Sequence, residues 1–251
     1  MESRSVRTLA VAVCLLIPTL GWSDDWKFRL TPFIWLAGLQ GDVGAFPPLP
    51  SAPVDVSPSD ALKDTETAFF LIAEARKNRH GLYLDTVYSD VRSDLDLIPE
   101  FDLTANSITK STMISAAYEY AWLQKGDAVI DVLVGARYWN IDSTFSFSGG
   151  LGALDGRTLK GEDSWVDPMA GVKARVPFGQ SKFYFAGGLV IGGFGVGSDM
   201  FYELNTNVGY QWNKSIGTTV GYRTFGVDYE EPALQYDVEQ SGWQLGLTWS
   251  F

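Results

Sequence analysis

Apolar and polar positions alternate from Trp26 to the C-terminus. In the last segment Trp243, Leu245, Leu247, Trp249 and Phe251 share one face, while Gly242, Gln244, Gly246, Thr248 and Ser250 share the other. Tyr202, Leu204, Thr206, Val208, Tyr210 and Trp212 alternate in the same way with Glu203, Asn205, Asn207, Gly209 and Gln211. A period of two is the strand signal, and no sustained stripe at helical spacing competes with it. The pattern predicts ten strands, over residues 27–39, 66–77, 81–91, 104–122, 128–146, 162–177, 182–194, 200–213, 216–228 and 237–251. Four connectors are tight turns rich in Gly, Asn and Ser, at 77–80, 124–127, 178–181 and 213–215. They alternate with mostly longer connectors: a Pro-rich one at about 40–65, then 92–103, 147–161, the short 195–199, and 229–236.

Alternation alone does not say which face meets solvent, because a soluble sandwich or barrel alternates too. The character of the polar face does. It carries Gly, small polar residues and scattered charges, and the apolar face carries large aromatics, as when lipid lies outside and a narrow polar lumen inside. Several segments exceed the roughly 9–11 residues that cross a bilayer, so their ends on the long-loop side should project beyond it. Tyr120, Trp122, Phe178, Phe183, Tyr210, Trp212, Trp249 and Phe251 fall at the short-turn end, and Tyr88, Tyr138, Tyr202, Tyr222 and Trp243 nearer the other. Two aromatic belts match the two interfaces of a membrane. The fold class expected is all-β, a single antiparallel up-and-down transmembrane β-barrel of ten strands, with eight or twelve as alternatives. The register is ambiguous in two places, the first strand, where Phe33 and Trp35 compete for the outer face with Ile34 and Leu36, and the Gly-rich stretch 187–197.

Composition narrows the chemistry. The 251 residues include one cysteine, Cys14, and one histidine, His80, which excludes a disulfide framework, thiolate zinc clusters and any site that needs two imidazoles. A net charge of −11 argues against nucleic acid as a partner. Residues 1–23 read as a signal peptide: Arg4 and Arg7 precede a short apolar run, and Gly21-Trp22-Ser23 supplies small residues for cleavage. The expected mature chain, 24–251, is then free of cysteine, in keeping with an oxidising envelope compartment.

The alternating pattern over 26–251, and above all a last strand ending in Phe251 with Trp249, Leu247 and Leu245 spaced by two, resembles bacterial outer-membrane β-barrel proteins. The resemblance implies export through the periplasm to the outer membrane. It also implies contact with outer-membrane lipids and lipopolysaccharide, and recognition of Leu245, Leu247, Trp249 and Phe251 by the barrel assembly machinery. It identifies a route of insertion, not an activity.

By alternation the inward charges are Arg29, Glu74, Arg76, Asp85, Glu119, Asp131, Arg137, Asp167, Lys173, Arg175, Glu203 and Arg223, six acids and six bases. They have two readings. Either a salt-bridged network fills the lumen, or a narrow pore carries charged rings that select ions or small solutes. Lumen width grows with strand number, and ten strands is nearer the filled eight than the aqueous sixteen, so the filled barrel is preferred. Asp85, Arg137, Asp167 and Arg223 are the candidates for a constriction, and Glu74, Arg76, Glu119, Asp131, Lys173 and Arg175 for a cluster on the periplasmic side. The loops are acidic, with Asp94, Asp96, Glu100 and Asp102 in one and Asp228, Glu230 and Glu231 near Asp237 and Glu239 in another. A solvated acidic loop is preferred there over a weak divalent-cation contact, because the spacing matches no ordered calcium loop. Phe145 and Phe147, with Gly149, Gly150 and Gly152, make either a mouth-covering loop or the frayed end of two long strands. His80 falls in a periplasmic turn with no serine or acid fixed beside it, so no enzyme is expected, nor any cofactor or metal. A surface-binding role would use residues 40–65, and a lipid- or peptide-modifying enzyme is the remaining alternative.

Overall fold

Short turns between alternating segments dictate antiparallel neighbours, and the barrel follows from closing that meander on itself. The computed structural model describes residues 26–44, 52–98, 103–149, 155–231 and 234–251, so the expected signal segment lies outside the described residues, as do Glu100 and Asp102. The elements are β1 (Trp26–Gly44), β2 (Ala52–Val56), α1 (Pro58–Asp64), β3 (Thr65–Lys77), β4 (His80–Ile98), β5 (Leu103–Lys125), β6 (Ala128–Ser148), β7 (Thr158–Pro177), β8 (Phe183–Gly193), β9 (Met200–Gln211), β10 (Ile216–Glu231) and β11 (Leu234–Ser250). Strands β3 to β11 pair in sequence order, and β1 closes the ring by pairing with β3 on one side and β11 on the other. The closing seam runs in register from Arg29 opposite Ser250 to Gly44 opposite Gln235. Ten strands therefore form the barrel, and β2 is an appended eleventh.

All four short turns form where expected, and each has a local cause. Asn78, Gly126 and Gly179 take positive φ of 56°, 59° and 61°, the left-handed conformation that Asn and Gly accept most readily. In the fourth turn the side chain of Asn213 accepts bonds from the backbone N–H groups of Ser215 and Ile216, both at 2.9 Å. These turns mark the periplasmic rim.

The far rim departs from expectation in two ways. The segment 40–65 holds more structure than its prolines suggest. β1 continues to Gly44, β2 pairs with its Leu39–Val43 stretch, and α1 follows. Pro58 opens the helix, where a missing N–H leaves nothing unpaired, and the Ser57 hydroxyl accepts from the Asp60 N–H at 3.2 Å. Pro53 sits on a strand whose other edge pairs with no strand among the described residues, a place proline tolerates. Secondly, β4 to β7 run further than expected. Phe145 stays in the β5–β6 and β6–β7 ladders opposite Ser107 and Leu159, and the Phe147 N–H still donates to Arg157 O at 2.9 Å, so both rings continue the strands, while Gly150 and Gly152 lie outside the described residues.

Strand length is uneven around the ring. β5 has 23 residues, about 75 Å along the chain at 3.3 Å each and far more than a tilted crossing of a roughly 25 Å apolar band requires. β8 and β9, with 11 and 12 residues, barely cross. β8 consequently pairs with β7 only over Met169–Pro177, and residues 158–168 of β7 rise above it.

The outer face is apolar through the membrane band, with Val134, Val172, Val208, Val220, Trp243, Leu245 and Leu247 all exposed. The ambiguity in β1 resolves with Phe33 and Trp35 inside, 8% and 7% exposed, and Ile34 and Leu36 outside at 54% and 39%. The interior is not polar throughout, as a narrow polar lumen would be. Its outer half is an apolar cluster that includes Phe33, Trp35, Trp139, Trp165, Phe201, Phe225, Val227 and Tyr229, because rings this large on inward positions of a small barrel meet each other. Val220 lies in the middle of the outer band, between Val208 and Leu245. Val220→Arg is expected to cost about 2–4 kcal/mol in urea titrations of the barrel folded in vesicles, and Val220→Leu close to nothing.

Candidate functional site

The lumen gathers the charged residues, and it is layered. Nearest the periplasm, Arg29 donates to Glu74 at 2.9 Å, Lys173 bridges Glu74 and Glu119, the latter at 2.6 Å, and Arg76 spans Glu119 at 2.6 Å and Asp131 at 2.8 Å. Six side chains from β1, β3, β5, β6 and β7 thus form one continuous chain of ion pairs. Arg175 stands apart from it. Its guanidinium lies 3.3 Å from the centre of the Tyr184 ring and donates to Gln211 at 2.9 Å.

The middle layer is a second chain. Arg223 donates to Asp85 at 2.6 Å and lies 3.0 Å from Glu203, which also accepts from Arg137 at 2.6 Å. Arg137 Nε donates to Ser115 at 2.8 Å. All four charged groups are buried. Above them is an aromatic roof: the Arg137 guanidinium sits 4.5 Å from the Phe201 ring centre, and that of Arg223 about equally far from Phe33 and Trp35, at 5.5 and 5.4 Å. Each arginine therefore faces carboxylates on one side and rings on the other, both favourable for a planar cation held out of water.

Asp167 belongs to the third layer. It lies directly across from Arg137 in the β6–β7 ladder, yet its contacts are neutral donors: the Trp139 indole at 2.8 Å, the Trp165 indole at 3.2 Å, and the Ser198 hydroxyl and backbone N–H at 2.6 and 2.7 Å. Ser198 reaches it because the short β8–β9 connection folds inward, placing Ser198 fully out of solvent. Where β7 rises above β8 the wall lacks a backbone ladder, and side chains bridge it. Trp165 on β7 stacks on Tyr229 of β10 with ring centres 3.7 Å apart and planes at 8°, and the Tyr229 hydroxyl donates to Asp163 at 2.7 Å.

Of the constriction candidates, the structure brings Asp85, Arg137 and Arg223 together and leaves Asp167 in the apolar layer. All six periplasmic-side candidates lie in the lower layer, with Arg175 off the ion-pair chain. Glu203, the acid that joins the two central arginines, is inward by parity, but only the curvature of the barrel brings β9 within reach of β6. Trp139 and Trp165 are direct cross-strand neighbours, and each sits two residues from a candidate, Arg137 or Asp167. That shared parity is the signal that could have placed them. Ser198 left no such trace. At the outer rim, partial burial and the nearby carboxylates of Asp237, Asp199 and Glu230 hold the Asp228 carboxyl above its ordinary range. The side chains of Asp94 and Asp96 lie outside the described residues. Among the described residues no group of three or more His, Cys, Asp or Glu is placed to hold a metal ion. His80 begins β4, and its Nδ1 hydrogen-bonds the Tyr118 hydroxyl on the outer face.

Arg223→Ala strands two buried carboxylates and is expected to cost about 3–5 kcal/mol by urea titration, against about 1–3 for Ser198→Ala, which removes one of four donors to Asp167. Asp228 faces Asp237 across the β10–β11 ladder. With its pKa raised on folding, Asp228 opposes stability at neutral pH, and the penalty disappears as pH falls through that raised value and then the ordinary carboxylate range. Asp228→Asn is therefore expected to stabilise the barrel at pH 7, by less than about 1 kcal/mol at so exposed a site, and to have no effect at pH 3.

No family model matches the chain, and no curated protein matches it. Solved structures do. The outer membrane protease OmpT from Escherichia coli aligns with a TM-score of 0.61 at 8% identity, covering 91% of this chain and 97% of that one. The transport unit of the autotransporter AIDA-I from Escherichia coli aligns at 0.46 and 8% identity over 94% of each chain. Ail, the attachment invasion locus protein of Yersinia pestis, aligns at 0.37 and 10% identity, over 91% of this chain and 100% of that one. At such identities the likeness concerns architecture alone. The chain has the fold of the bacterial outer-membrane β-barrel proteins, and its apolar outer band sets the barrel in a membrane.

Proposed function

We propose that this protein is a closed, non-conducting barrel of the bacterial outer membrane that acts through its surfaces, as a structural and surface-presenting element, and not through a pore or a catalytic centre. The observation that carries this reading is the filled lumen. Two chains of ion pairs and an aromatic cluster follow one another along the axis, so an ion would have to break buried pairs and then cross an aromatic layer in which the Asp167 carboxylate already accepts four hydrogen bonds. The same fold houses a protease, a transport unit and an attachment protein among its structural neighbours, so activity has to be argued from the site. An imidazole base is available only at His80, outside the barrel at the periplasmic rim, away from the buried acids. The rim formed by the extended β4 to β7 strands, with β2 and α1, supplies the surface a binding role would use.

A narrow channel is the second reading. It is favoured by one observation, that Arg137 Nη1 and Arg223 Nε in the central layer are buried without a hydrogen-bond partner among the described residues, donors that water in a lumen would satisfy. Planar-bilayer recording of the purified, folded barrel separates the two. A silent membrane is expected, unchanged by His80→Ala. Discrete conductance steps whose size or selectivity shifts in Arg137→Ala or Arg223→Ala would overturn the closed barrel and place the constriction in the central layer.

A further inference from the structure

The apolar outer face is not uniformly convex. On its periplasmic half a groove of about 520 Å³ runs across β1, β3, β4 and β5. Ala73, Ala75 and Ala116 form its floor, and Leu30, Leu82 and Tyr118 stand around them. The periplasmic end of the groove is chemically distinct. Lys77 follows Ala75 on the same face of β3 and pairs in register with His80, whose Nδ1 bonds the hydroxyl of the groove residue Tyr118. The turn between them adds Arg79. The four periplasmic turns together carry Lys77, Arg79, Lys125 and Lys214 against one acid, Asp127. The opposite rim is strongly acidic, so the molecule is polarised along its axis.

We propose that this groove is a binding site for one anionic glycerophospholipid of the periplasmic leaflet, its acyl chain lying over the alanines and its phosphate held by Lys77 beside the His80–Tyr118 pair. The depth of the site fixes the leaflet. Leu82 and Leu84 are only two and four residues from His80, so the groove begins within about 5–10 Å of the rim, the reach of an acyl chain whose headgroup lies at that rim. Charge selects the headgroup, because a basic rim attracts an anionic phosphate ester and an acidic rim would repel it. Apolar chains gain nothing from merely leaving other lipids, so the alanine floor acts by shape, letting a chain sit in closer contact than on a convex surface. A second copy of this chain is the weaker fit, since a two-fold axis along the membrane normal would set two basic periplasmic rims side by side at the same depth.

The test is native mass spectrometry of the purified, folded barrel, released from detergent after incubation with equimolar phosphatidylglycerol and phosphatidylethanolamine of identical acyl chains. Wild type is expected to retain one phosphatidylglycerol in preference to phosphatidylethanolamine. Lys77→Gln should lower phosphatidylglycerol retention about fivefold and that of phosphatidylethanolamine, whose ammonium offsets the shared phosphate, by less. Ala116→Leu fills the floor from the lipid side and should lower retention of both, whereas Val208→Leu on a distant part of the outer face should change neither. Heat-modifiable migration on gels confirms that each variant is folded. Retention indifferent to Ala116→Leu, a lipid ratio indifferent to Lys77→Gln, or a dimer peak lost in Ala116→Leu in place of a bound lipid would each overturn the proposal. None of these readouts depends on whether the lumen conducts.

Discussion

Two arginines buried in the middle of the lumen set the terms for everything around them. Arg137 and Arg223 are permanently charged, and a guanidinium held away from water is tolerated only if its surroundings replace the lost hydration. Asp85, Glu203 and Ser115 do this on one side, and Phe33, Trp35 and Phe201 cover the other. The acids contribute from β4 and β9 and the arginines from β6 and β10, so two links of the ion-pair chain, Arg223–Asp85 and Arg137–Glu203, tie together strands that are not neighbours in the ladder. A cross-brace of this kind opposes ovalisation of the barrel, which backbone hydrogen bonds between adjacent strands do not by themselves prevent.

The division of the lumen follows from the same constraint. Below the arginines, where the periplasmic end opens towards water, lysine and arginine chains reach inward and share carboxylates. Above them the strands leave the membrane band, and inward positions fill with large rings. The short β8–β9 hairpin interrupts the wall at that height, and the gap is closed by packing: the Trp165–Tyr229 stack, the Tyr229–Asp163 bond and the inward turn that brings Ser198 onto Asp167. A carboxylate surrounded by four neutral donors keeps its hydrogen bonds without a counter-charge, so Asp167 anchors the turn while remaining inside the apolar layer.

A filled interior moves attention to the exterior. The two ends carry opposite charge, acidic around Asp228, Asp237 and Glu239 and basic around Lys77, Arg79 and Lys125. A membrane whose two leaflets differ in lipid would meet each end with different chemistry, and the alanine-floored groove lies on the basic side.

Much of this was legible from the chain alone. Period-two alternation, tight turns containing Asn78, Gly126 and Gly179, and the paired Gly/aromatic faces of 242–251 are local signals. Local signals are enough to specify ten antiparallel strands and to decide, except in β1 and the Gly-rich stretch 187–197, which side chains point inward. Parity likewise singled out twelve inward charges. Parity could not say which of them meet, because partners such as Arg137 and Glu203, 66 residues apart, are joined by barrel curvature and tilt, properties of the closed sheet and of no segment within it. The same reason hid the inward Ser198, the Trp165–Tyr229 bridge, the β2–α1 insertion that prolines seemed to forbid, and the groove on the outer wall. The alternation of residue types by itself determined the barrel and its two faces, since each strand's pleat assigns its own side chains. Only the closed tertiary structure decided what fills the lumen and where the outer surface is hollow, since both depend on distances across and around a ring that no single strand contains.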